Sequence, residues 1–64
     1  MKEATQEQYD ALRRTCNQML EDTNFAGFTS VNFIDYTQYL DKLKVEFPKF
    51  KFKQTSFGIS VDKI

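Results

Sequence analysis

Between Phe47 and Val61 the chain reads FPKFKFKQTSFGISV, and polar and apolar residues alternate twice within it. Lys49, Phe50, Lys51, Phe52 and Lys53 form the first run; Phe57, Ile59 and Val61 carry the second. A side-chain period of two belongs to a strand with one buried face. Two such runs around Thr55-Ser56-Phe57-Gly58 predict an antiparallel hairpin over about 49–62, with a type I turn and Gly58 in the left-handed position of a bulge. Phe50, Phe52, Ile59 and Val61 then share the inner face, and the three lysines face out. A lone two-stranded hairpin is marginal in water, so the rest of the chain has to cover that inner face.

The preceding residues have the periodicity to do so. Tyr9, Leu12, Cys16, Met19 and Leu20 recur at helical steps, which predicts a helix over about 5–23 with one apolar stripe. Thr5 followed by Gln8 fits a capping box at its start. Glu21 and Asp22 oppose the helix dipole at its end, so Asn24 or Gly27 is expected to terminate it in a left-handed conformation. Further on, Phe33, Tyr36, Leu40, Leu43 and Phe47 step by three and four. They predict a second helix over about 32–46, capped from Ser30 or from Asp35 with Gln38, and stopped by Pro48.

Residues 25–34 read in two ways, because Thr29, Val31 and Phe33 also alternate as a strand would. The fold class expected is α+β, with two helices packed on a C-terminal β-hairpin in α-α-β-β order. The alternative is α-β-α-β-β with a three-stranded antiparallel sheet.

Sixty-four residues make a single small domain. A core of this size rarely supplies more than roughly 3–5 kcal/mol. One cysteine excludes an intrachain disulfide, and the absence of histidine excludes the common Cys/His zinc sites. No cofactor or metal is expected. Seven Phe and three Tyr are the visible compensation, since each aromatic ring buries about 150–250 Å². A lone thiol and a polar N-terminus without a leader predict a reducing, cytoplasmic setting. No apolar run reaches the ~18 residues of a membrane span, so no membrane partner is expected.

Chemistry is harder to find. Cys16 lacks a histidine base and lies on the apolar stripe, which favours plain core packing. Asp35, Asp41, Glu46, Asp62, Glu21 and Asp22 fall on expected solvent faces, so the chain is not read as an enzyme. The same carboxylates on the second helix would repel phosphate and disfavour a DNA-reading role. Nine basic and nine acidic residues balance overall, yet residues 42–53 hold five lysines and one glutamate. Lys49, Lys51 and Lys53, joined by Lys42 and Lys44, read first as protection of a sheet edge. The next reading is a docking face for an acidic partner; the third is a single-stranded nucleic-acid groove.

Ten aromatics exceed what a small core hides with ease, and surface aromatics anchor interfaces. The leading expectation is therefore a small protein-binding module: an inhibitor, adaptor or accessory regulator of a larger protein with an acidic surface, of a size that suits a virus-encoded factor. Phe25, Phe28, Tyr39 and Phe57, with Lys49, Lys51 and Lys53, are its expected contact residues. A nucleic-acid-binding module using the lysine-faced strand 49–53 is the alternative. A structural homo-oligomer is the third reading.

Overall fold

The computed structural model describes residues 1–64. The first helix, α1 (Gln6–Glu21), starts where the capping box places it. Thr5 Oγ1 accepts the Gln8 amide at 3.2 Å, and Gln8 Oε1 accepts the Thr5 amide at 2.9 Å. Tyr9, Leu12, Cys16 and Met19 are buried along one stripe, while Leu20 at its border remains exposed. The end differs from expectation. Asp22 caps the helix in an extended conformation, so neither Asn24 nor Gly27 serves as a left-handed cap. The reason is tertiary: Lys63 Nζ donates to the Asp22 carbonyl at 2.6 Å. It delivers the positive charge that the last turn itself lacks.

The C-terminal hairpin pairs β4 (Phe50–Gln54) with β5 (Ile59–Lys63), in the register Phe50↔Lys63 to Gln54↔Ile59. On the other side of β5 lies β2 (Gly27–Thr29), antiparallel, with Phe28 opposite Val61. The architecture is mixed α+β: two helices with a three-stranded antiparallel sheet, β5 at its centre. The disputed segment thus contributes a strand, but one of only three residues. A two-residue parallel pair, β1 (Lys2–Glu3) with β3 (Ile34–Asp35), ties the N-terminus to the middle of the chain.

The second helix is shorter than its periodicity predicts. A 3-10 turn spans Thr37–Tyr39, and α2 runs over Leu40–Glu46. Asp35 is responsible. Its carboxylate accepts the Thr37 amide at 2.9 Å and the Thr37 hydroxyl as well, a local bond that competes with helix geometry. Gln38 does not complete a cap either; its amide reaches the Ala4 carbonyl at 3.2 Å instead. At the far end Phe47 leaves the helical region at φ −124° and ψ 70°, as a residue before proline should.

The hairpin turn also departs from the expected type. Thr55 Oγ1 accepts the amides of Phe57 and Gly58 at 3.2 and 3.1 Å. Gly58 sits at φ 153° rather than in the left-handed well of a bulge, and a Cβ there would run into the Ser30 carbonyl.

Phe47 stands at the middle of the core, with ring centroids 5.9 Å from Phe50 and 6.3 Å from Phe52. Outside the core, Arg13 grips Glu46 through two bonds of 2.7 and 2.9 Å and joins α1 to α2. Tyr9 and Tyr39 stack beside that pair at 4.2 Å.

Candidate functional site

The least covered aromatic surface is at the hairpin tip. Phe57, in the turn, and Phe33, in the loop before β3, are each 56% exposed. Their rings meet edge to face at 6.2 Å, and the Phe33 amide donates to the Phe57 carbonyl at 2.9 Å. Val31 and Met1 are exposed as well. Together these residues leave an apolar end on a molecule whose other large side chains are mostly packed.

The backbone beneath this end is tightly fixed. Phe33 has φ 56°, a left-handed conformation that is unusual for a bulky residue. Such a conformation costs about 1–3 kcal/mol and persists only where its surroundings impose it. Here Asn32 Oδ1 accepts the Ile34 amide at 3.1 Å. Gln54 then links the two loops. Its Oε1 accepts the Tyr36 amide at 2.7 Å, and its Nε2 lies 3.1 Å from the Ile34 carbonyl and 2.8 Å from the Gly58 carbonyl. Beside Phe33 a groove is lined by Met1, Lys2, Gln8, Asn32 and Ile34. The aromatic pair is therefore presented by a braced frame, with the side chains outward.

The expected contact residues divide. Phe57 lies in this end. Phe25 and Phe28 are half-buried against the core and meet each other edge to face at 6.4 Å. Tyr39 is half-buried and stacked on Tyr9, with Lys42 Nζ 5.9 Å from its ring centroid. These three wrap the small core. Phe33 was not among the expected residues. Its period-matched spacing to Tyr36 points inward, and nothing local announces the left-handed turn that sends it out.

Lys51 and Lys53 are exposed on β4, while Phe50 and Phe52 are 3% and 6% exposed; Lys49, expected on the same strand, is exposed in the turn before it, where the Phe50 amide donates to the Phe47 carbonyl at 3.1 Å. None of the three lysines makes an ion pair; both salt bridges belong to Arg13. Lys42 packs over Tyr39 on α2 and does not extend the column. The partners that β5 and β2 place beside it are Asp62, Ser60 and Thr29, the last two with hydroxyls 3.3 Å apart. This sheet face carries no aromatic ring.

Titratable groups elsewhere are tied to structure. No group of three or more His, Cys, Asp or Glu side chains converges as metal ligands would. The Thr37 hydroxyl, and with it the Thr37 amide, donates to the Asp35 carboxylate and holds that carboxyl below the usual range. Cys16 is fully buried, and burial, aided by Glu46, pushes its thiol up to about 11. At mildly alkaline pH that leaves about a hundredfold less thiolate than the ordinary value of 9.0 would give, on top of steric protection. Folded protein is expected to resist a thiol-specific disulfide reagent and to react at once in denaturant. Rapid stoichiometric labelling of the folded state would contradict the core assignment.

No helix is long and apolar enough to cross a membrane. Comparison with protein-family models, with curated proteins and with solved structures gives no match.

Proposed function

We propose that the protein works by binding another protein through its aromatic end, as a small cytoplasmic inhibitor, adaptor or accessory regulator, and that it does no chemistry of its own. The observation that carries this is the Phe33–Phe57 pair: two large rings more than half exposed on a braced backbone. Leaving them more than half exposed forgoes about 1–2 kcal/mol of burial for each ring, a sizeable amount for so small a core. A backbone held in a costly conformation beneath them lowers the ordering entropy of binding, which is how preorganised anchors gain affinity. A partner with an apolar pocket would recover the burial.

The lysine column favours protein over nucleic acid as the ligand. Single strands are held by stacking on aromatic faces, and the rings nearest these lysines are turned into the core.

Affinity capture from nuclease-treated native lysate, with wild type beside a Phe33→Ser/Phe57→Ser variant, tests this reading. Both rings are exposed, so the variant is expected to keep the wild-type circular dichroism spectrum. Wild type should retain a partner that the variant loses. Equal retention by a folded variant would remove the aromatic end from the account.

A further inference from the structure

We propose that the free edge of β2 docks an extended, uncharged segment of the partner, which adds to the sheet as a fourth strand and sets alternate side chains in the groove beside α1. The inference rests on the protein-binding reading and names the chemistry of part of the partner. Backbone bonding carries it. β2 is the last strand on its side of the sheet. The Lys63 amide donates to the Ala26 carbonyl and the Ser30 amide to the Ile59 carbonyl, both at 2.9 Å. Antiparallel pairing alternates, so Ala26, Phe28 and Ser30 turn their backbone groups to β5. Gly27 and Thr29 turn theirs away, and no turn or loop bond reaches them. That is the donor and acceptor pattern an added strand completes.

The two edges of the sheet are treated differently. β4 carries Lys51 and Lys53, the usual protection against edge pairing. Residues 24–33 contain no charged residue and no proline. Beside the β2 edge, Ala11, Leu12 and Thr15 of α1 face Phe28, Ser30 and Tyr36 across a groove without a charged side chain. The amide-bearing side chains at its end are already engaged: Gln8 Oε1 on the Thr5 amide and Asn32 Oδ1 on the Ile34 amide. The space therefore suits small apolar side chains. Gln8, Asn32 and Ile34 also line the groove beside Phe33, so one segment can lie along β2 and reach the aromatic end.

A second copy's β2 does not fit this groove. Its inner ring, Phe28, is packed on its own core and against Phe25. Gly27 and Thr29 lie on the opposite face by alternation, so that strand brings no side chain into the space.

The test is an NMR titration and amide-exchange measurement on the intact protein with three blocked hexapeptides: alternating Val and Thr, the same peptide N-methylated at every residue, and alternating Glu and Thr. In dilute free protein the Gly27 and Thr29 amides should exchange fast and the Phe28 amide slowly. The Val-Thr peptide should slow both fast amides, and the other two should bind far more weakly. Thr29→Pro removes the outward donor but no bond to β5, so the sheet should persist while binding falls about tenfold. Ala11→Lys, an exposed helix position, should weaken binding as much by placing a charge in the groove. Phe33→Ser/Phe57→Ser should bind the peptide as wild type does.

Protected Gly27 and Thr29 amides in dilute free protein would overturn the inference, as would no binding of the Val-Thr peptide at millimolar concentration. Equal binding of either control peptide, or no effect of both Thr29→Pro and Ala11→Lys, would do the same. Protection that grows with protein concentration alone would assign the edge to a second copy instead. Partner capture through Phe33 and Phe57 with no peptide binding would leave the reading of function standing while this inference fell. Peptide binding, with partner capture undiminished in Phe33→Ser/Phe57→Ser, would do the reverse.

Discussion

Gly58→Ala is expected to unfold the protein. The residue has φ 153°, which L side chains rarely adopt, and a Cβ there would meet the Ser30 carbonyl oxygen and the Asn32 side chain at once. Strain of the first kind alone costs about 1–3 kcal/mol. The clash adds to it, because a backbone carbonyl cannot move aside as the end of a flexible side chain can. Ser30 is itself fixed; its amide donates to the Ile59 carbonyl at 2.9 Å. Against a total of roughly 3–5 kcal/mol for so small a core, little folded protein remains. Urea titration followed by circular dichroism measures the effect. A Gly58→Ala protein with a wild-type midpoint would show that the tip is loosely built, and the frame proposed beneath Phe33 and Phe57 would lose its basis.

Phe47→Ala should be as damaging by a different route. Phe47 is 1% exposed and touches the rings of both core phenylalanines of β4. Truncating a buried phenylalanine costs about 3–5 kcal/mol, through lost transfer energy and the cavity left behind. That is again the whole estimated stability of the domain. Phe47→Leu, which keeps more of the volume, should leave a folded but weakened protein. The same titration reads both variants. A Phe47→Ala protein that unfolds cooperatively at nearly the wild-type midpoint would mean that the core is centred elsewhere.

Much of the frame was legible in residue order. The helical steps from Tyr9 to Met19 and the Thr5–Gln8 box define α1, and alternation around Phe50 and Phe52 defines β4 and its inner face. These signals are local, and the structure uses them locally. What could not be read depends on partners far away in the chain. The three residues of β2 are too few to show a period, and β5 makes them a strand. The one local exception is Asp35, which shortens α2 by binding Thr37 although the apolar steps continue back to Phe33. Lys63 closes α1 from the other end of the chain.

The candidate site follows the same division. Phe57 stands out as a phenylalanine in a turn, a position that rarely buries its ring. Phe33 does not, because its outward turn depends on a backbone bond to Phe57 and on a left-handed conformation that favours Gly, Asn or Asp. Phe25, Phe28 and Tyr39 looked surplus only because composition does not tell how many rings a short helix and three strands can wrap.

The most direct measurement is site-specific photo-crosslinking. A benzophenone amino acid replaces Phe57 in one protein and the exposed Val45 of α2 in another, and both are irradiated in native lysate. A protein partner that acts through the aromatic end should cross-link strongly at position 57 and weakly or not at all at position 45. No adduct at 57, equal adducts at both positions, or an adduct only to a second copy of the chain would contradict the account.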